Sequence, residues 1–119
     1  MKKMKMLNLT PHAIVLRAVD GAEVTLPPSG VVARVQTTAE AVAGLNVDGR
    51  EWPIVQTKFG QVQCLPEPEE GTVFVVSLLV LQAATKQLER RDLLAPDTGP
   101  TAIRNAAGQI IAVRGFQVP

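Results

Sequence analysis

Turn-forming residues cut the chain into pieces, and that punctuation limits the fold more than any other feature. Asp20-Gly21 and Asp48-Gly49 each follow a β-branched or apolar stretch. Asp-Gly supplies the positive φ angles that a tight hairpin turn needs. Pro27-Pro28-Ser29-Gly30, Pro66-Glu67-Pro68-Glu69-Glu70-Gly71 and Pro96-Asp97-Thr98-Gly99-Pro100 add rigid breaks, because proline fixes φ and cannot donate to a strand ladder. Most of the intervening segments are short, so the sequence predicts several short strands.

The first predicted hairpin pairs residues 13–19 with 23–26, and 31–35 is a third strand. Residues 37–43 are rich in alanine and read as a short helical turn. A second hairpin is centred on Asp48-Gly49 within 46–55, and 54–58 with 61–65 is a further pair around Phe59-Gly60. Residues 72–76 read as a fully buried strand. Ser77 is placed to cap a helix over 78–91, the main helix expected, with an apolar first half and Lys86, Arg90 and Arg91 in its last turns, where cations complement the helix dipole. Residues 101–105 and 109–116 form a last hairpin whose turn, Asn105-Ala106-Ala107-Gly108, puts Gly108 in the left-handed position. The expected class is α+β: a single domain over 1–119, with antiparallel β hairpins or a sheet and that helix packed on it.

Composition removes several functions. A chain of 119 residues, 46% hydrophobic and 19% charged, is globular. Twelve basic against eleven acidic residues leave a net charge of +1, which argues against DNA binding by bulk electrostatics and against a polybasic membrane anchor. Lys2, Lys3 and Lys5 make the start basic, yet no apolar signal-peptide core follows, and the longest apolar run, 73–81, is too short to span a bilayer. A soluble, cytoplasmic protein is expected. The lone cysteine, Cys64, fits a reducing compartment and reads as a small buried or half-buried thiol.

Catalytic chemistry finds little support. One histidine and one cysteine, far apart, supply too few ligands for zinc, and Pro66 and Pro68 break any calcium-ligand spacing among Glu67, Glu69 and Glu70. No nucleophile elbow, phosphate loop or dinucleotide fingerprint is present. No catalytic residue, metal or cofactor is therefore assigned. His12, in Asn8-Leu9-Thr10-Pro11-His12, reads either as a ligand or base or as part of a strand bend in which Thr and Asn bond the backbone. The C-terminal quarter concentrates polar chemistry: Arg90, Arg91, Asp92, Asp97, Thr98, Arg104 and Arg114 lie among apolar residues. Guanidinium groups suit phosphates and bases, and Asp97 and Thr98 suit ribose hydroxyls. The same residues could equally form an Arg–Asp network that holds a loop.

The motifs named so far, Asn8-Leu9-Thr10-Pro11-His12, Leu65-Pro66-Glu67-Pro68-Glu69-Glu70-Gly71 with Phe74-Val75-Val76-Ser77, Arg91-Asp92-Leu93, Pro96-Asp97-Thr98-Gly99 and Arg104-Asn105-Ala106-Ala107-Gly108-Gln109-Ile110, occur in an order that resembles small phage proteins of the first type of Thoeris anti-defence family. The resemblance spans nearly the whole chain. It implies a sponge, acting in the cytoplasm of a bacterial host, that binds cyclic ADP-ribose isomers without cleaving them. It also implies homo-oligomers, dimers or hexamers, with pockets at subunit interfaces and separate pockets for cyclic oligonucleotides. Asn105 stands where the family leads one to expect Asp, and the chain has no tyrosine. Phe74 and Phe116 are then the candidates for an aromatic plate under the base, worth about 1–3 kcal/mol per stacked base, with core packing the competing role for Phe74. The remaining alternatives are an enzyme that degrades the signal, through His12 or Cys64, and a module that inhibits a host protein through the helix and its basic end.

Overall fold

A computed structural model describes residues 4–119; Lys2 and Lys3, in the basic start, lie outside the described residues. The element order is β1 (Lys5–Asn8), β2 (Ile14–Arg17), β3 (Glu23–Leu26), β4 (Arg34–Val47), β5 (Arg50–Gln63), β6 (Thr72–Val75), α1 (Leu78–Gln87), β7 (Leu93–Pro96), β8 (Ile103–Arg104), β9 (Ile110–Ala112) and β10 (Phe116–Gln117). The α+β class holds, although one short helix is a minor part of the chain.

The apolar run that follows Gly71 fills the centre of the one four-stranded sheet, ordered β1-β6-β7-β10. β1 pairs parallel with β6, and β6 parallel with β7, while β10 runs antiparallel to β7. The sheet is thus mixed where antiparallel pairing was expected. Parallel neighbours bury a strand on both faces, which is why β6 reads as an unbroken apolar stretch. The connection from β6 to β7 is α1, which packs Val80, Leu81 and Ala84 against Leu9, Ala33, Phe74, Val76, Leu93 and Ala95.

Helix α1 begins where the sequence places it. The Ser77 hydroxyl accepts from the Val80 N–H, satisfying one of the open donors of the first turn. It ends earlier than expected, at Gln87 instead of Arg91, because Leu88 is already extended. Arg90 and Arg91 therefore leave the helix and lie on the connection into β7.

The other strands form three two-stranded hairpins, β2-β3, β4-β5 and β8-β9. The alanine-rich segment 37–43 is not helical. It is part of β4, each of whose residues from Thr37 to Ala41 has a partner across β5; cross-strand pairing overrides the weak local preference of alanine. Phe59-Gly60 is likewise no turn but an irregular point inside β5, with a register shift opposite Gln36. One long ribbon results. At about 3.3 Å per residue each fourteen-residue strand reaches roughly 46 Å, and the molecule extends 62 Å along its longest axis. At the far end Asp48 and Gly49 take φ of 53° and 79°, the two left-handed positions a two-residue hairpin turn demands.

Candidate functional site

The Asn8 and Thr10 side chains of Asn8-Leu9-Thr10-Pro11-His12 are committed to the fold. Asn8 is 1% exposed. Its Nδ2 donates to the carbonyls of His12 and Leu26, and its Oδ1 accepts from the Thr10 N–H and the Thr10 hydroxyl. This is the bend reading of the motif. The His12 ring itself is exposed and lines a groove described below. Cys64, expected to be buried or half-buried, is exposed, at a φ of 62°.

The C-terminal cluster separates into two groups at opposite ends of β7. Before β7, Arg90 and Asp92 form a two-pronged pair, Nε to Oδ1 and Nη2 to Oδ2, each 2.8 Å. The Arg90 guanidinium also sits 5.9 Å from the centre of the Phe74 ring. Phe74 is 1% exposed and belongs to the core, so a base has no access to it, and the plate role assigned from sequence is withdrawn. Arg91 is exposed beside the pair.

The hydrogen bond from Arg90, more than its charge, holds the Asp92 carboxyl below the usual range against an opposing effect of burial, and Asp92 in turn raises the Arg90 guanidinium. A carboxyl lowered in the folded state adds stability above its unfolded value, near 3.9, and loses it as the pH falls through the lower folded value. Thermal melting of the wild type between pH 6 and pH 3 is therefore expected to fall more steeply than that of Asp92→Asn. Parallel curves would remove the pair from the acid response.

After β7 lies the second group. Both Asp97 oxygens are used inside the loop, Oδ1 by the Gly99 N–H and Oδ2 by the Thr101 hydroxyl. Arg104 donates to the Gly108 and Thr98 carbonyls, at 3.0 and 3.4 Å. It thereby ties the β8-β9 turn to the loop. The turn follows the sequence reading: Gly108 has φ of 81°, and Asn105 Oδ1 accepts from the Ala107 and Gln109 N–H groups. Arg114 is exposed and makes no ion pair or side-chain hydrogen bond among the described residues. Phe116 is half-buried on β10, opposite Pro96.

Next to this second group runs an open groove of about 380 Å³. His12, Ile14, Pro96, Thr98, Ile110 and Ile111 are among its walls. The sequence-assigned residues thus divide as follows: Thr98 lines the groove, Arg104 bonds its rim, Arg114 and Phe116 are the near neighbours of wall residues Val113 and Pro96, and Arg90, Arg91, Asp92 and Phe74 are elsewhere. Asp97 shapes the rim, and each of its carboxylate oxygens accepts one hydrogen bond from within the loop.

A second groove, of about 430 Å³, was not visible in the sequence. Thr10, Arg34, Gln36, Gln63, Ser77 and Leu79 contribute to it. Its polar residues come from the base of the β4-β5 ribbon, from β1's end and from the start of α1. They meet only because the ribbon is continuous, and reading 37–43 as a helical turn hid that continuity.

Among the described residues no group of three or more His, Cys, Asp or Glu is placed to hold a metal ion, and no helix is long and apolar enough to cross a membrane. Comparison with protein families, curated proteins and solved structures finds no match for this chain.

Proposed function

We propose that the chain is a phage anti-defence protein that sequesters cyclic ADP-ribose isomers in the cytoplasm of a bacterial host, as a homo-oligomer and without cleaving them. The observation that carries this reading is the groove between β2, β9 and the 96–98 loop, apolar in its walls, with Thr98 and His12 among its lining residues, Arg104 bonded to the Thr98 carbonyl, and the exposed, unpaired Arg114 next in sequence to the wall residue Val113. Such a ligand carries a pyrophosphate, two riboses and a base. Guanidinium forks suit the pyrophosphate. Thr98 and His12 suit the ribose hydroxyls, and Ile110, Ile111 and the Pro96–Phe116 edge offer apolar surface to the base. Binding without cleavage needs no activated nucleophile, and His12 and Cys64 are not assigned as one. The groove at Arg34 and Gln63 is the place proposed for the second ligand class, cyclic oligonucleotides.

The test is direct. Purified protein is mixed with cyclic ADP-ribose isomers, freed of unbound ligand by filtration and boiled, and the released material is identified by mass spectrometry. Intact ligand in near-stoichiometric amount is expected. A changed product would make the protein an enzyme, and an empty filtrate would sink the sponge. Arg114→Ala is the cleanest variant, since an exposed residue without partners leaves stability within about 0.5 kcal/mol. Loss of one charge-assisted hydrogen bond, about 1.5–3 kcal/mol, weakens affinity roughly tenfold to a hundredfold. Unchanged affinity in Arg114→Ala would move the site away from this groove.

A further inference from the structure

The groove beside β9 is a strand pairing left unfinished. Strands β2 and β9 approach in parallel and join at one bridge, Leu16 with Val113. The Val113 N–H donates to the Val15 carbonyl, and the Arg17 N–H to the Val113 carbonyl. The next rung toward the start of both strands would join Ile14 to Ile111. It is not made, and the Leu16–Val113 bridge stands isolated. A bulge accompanies the gap: Ile103 pairs with Ala112 and Arg104 with Ile110, which leaves Ile111 as an extra residue on β9. A bulge bends the strand that carries it. The two strands part there, and the groove of about 380 Å³ opens between Ala13, Ile14 and Val15 on one side and Ile110 and Ile111 on the other.

Two backbone groups of β2 are left facing the gap. The N–H and C=O of one extended residue point to the same side, so the Val15 N–H follows its carbonyl toward β9. Ala18 donates to Ala22 across the β2-β3 turn, so by alternation Leu16 and Ile14 face β3 instead. A trans peptide sets the Ala13 carbonyl opposite to the Ile14 N–H, which turns that carbonyl toward the gap as well. Neither the Ala13 carbonyl nor the Val15 N–H has a hydrogen-bond partner among the described residues, and both residues line the groove. The open edge is short. Beyond Ala13, the His12 carbonyl already accepts from Asn8 Nδ2 and the Thr10 hydroxyl, and Pro11 has no N–H. A docked peptide strand needs a longer run of free groups than this; a planar base needs two.

We infer that the Ala13 carbonyl and the Val15 N–H read the Watson–Crick edge of an adenine. The inference rests on the groove being the nucleotide site proposed above, and adds which part of the ligand lies against β2. Adenine carries a donor, its 6-amino group, beside an acceptor, ring nitrogen N1. Laid along β2, the amino group donates to the Ala13 carbonyl and N1 accepts from the Val15 N–H. The base thus supplies the donor and acceptor that Ile111 would have brought to the missing rung. Ile110 and Ile111, 39% and 48% exposed, give it apolar surface from the other wall. Hypoxanthine and guanine carry the reverse order, an oxygen at position 6 and an N–H at N1. In the same pose they set oxygen against the Ala13 carbonyl and N–H against N–H. They satisfy both groups only when turned over, which moves the ribose to the other end of the base. Selectivity for a 6-aminopurine is therefore built into the backbone, in a groove whose walls are mostly apolar side chains.

The test uses a cyclic ADP-ribose isomer closed between its two riboses, which keeps adenine N1 free, and the same ring with hypoxanthine in place of adenine. Calorimetry on the full chain is expected to find the hypoxanthine ring bound about tenfold to a hundredfold more weakly, the usual discrimination of one two-point base contact. Equal affinity overturns the inference and leaves the sponge standing; binding of neither ring overturns both. Amide exchange followed by NMR locates the contact. Without ligand the Val15 N–H is expected to exchange faster than the bonded Arg17 and Val113 N–H groups, and saturation with the adenine ring to slow it at least tenfold. A bound ligand that leaves Val15 exchange unchanged overturns the inference. Val15→Pro removes that N–H, which the fold does not use, and is expected to lower affinity about tenfold; Val15→Thr keeps it and is expected to retain affinity. Equal affinity in a folded Val15→Pro protein overturns the inference, and where that variant does not fold, exchange in the wild type decides.

Discussion

Asn8→Asp is expected to lower the melting temperature by about 10–20 °C at neutral pH, the response of a domain this size to a loss of roughly 3–5 kcal/mol. Asn8 is buried and donates to the carbonyls of His12 and Leu26, the first of which also accepts from the Thr10 hydroxyl. A carboxylate in its place would aim negative oxygen at both carbonyl oxygens. Burial and those carbonyls would raise its folded pKa above the unfolded value near 3.9. The deficit relative to wild type is therefore smallest below pH 4 and grows as the pH rises through the folded value. Asn8→Ala removes the charge problem but leaves the carbonyls and the Thr10 N–H short of partners, so it costs less than the aspartate at pH 7 and shows no such pH dependence. Melting curves of the two variants from pH 4 to pH 8 check both statements; a constant difference between Asn8→Asp and wild type would contradict the burial of that side chain.

Phe74→Ala is expected to cost a similar amount, about 3–5 kcal/mol, because truncating a buried ring loses its transfer free energy and leaves a cavity. The ring is wedged among Leu9, Val76, Leu81 and Leu93 in the core, with Arg90 over it. The informative companion is Phe74→Leu, which keeps most of the apolar volume and so keeps the fold. If Phe74 is core and not plate, Phe74→Leu retains as much nucleotide in the boil-and-release assay as wild type. A folded Phe74→Leu protein that loses its ligand would restore the plate role that the structure takes from this residue.

Local chemistry was legible and distant pairing was not. The Asp20-Gly21 and Asp48-Gly49 turns, the Ser77 cap and the Asn105–Gly108 turn depend on neighbours a few residues apart, and each was readable from those neighbours. Residues 37–43 were misread because alanine favours a helix weakly, while the partners that make this segment a strand lie in 55–59. Gly60 looked like a turn, but a glycine inside a strand also marks a register shift. Helix α1 ends at Gln87, where Leu88 turns extended, and Arg90 beyond it reaches Asp92 two residues on and not a helical neighbour. Of the candidate residues, Thr98, Arg104, Arg114 and Phe116 follow β7 and were grouped by closeness along the chain; Thr98 lies in the groove wall and Arg104 bonds to its carbonyl. Arg90, Arg91 and Asp92 were grouped with them by the same closeness, yet β7 intervenes, and four extended residues separate its ends by about 13 Å. His12 and Arg34 were beyond reach, since each enters its groove from far away in the sequence.

The parallel pairing of β1 with β6 has a consequence for the order of folding. Lys5 is matched with Thr72, so the central sheet closes a long loop, and the entropy of that closure must be met before the contacts reward it. The ribbon needs no such closure, because its strands adjoin a two-residue turn. On a growing chain, 34–63 is complete before 72–75 has been made. On such a nascent chain the ribbon can form while the core that supports its base is still missing.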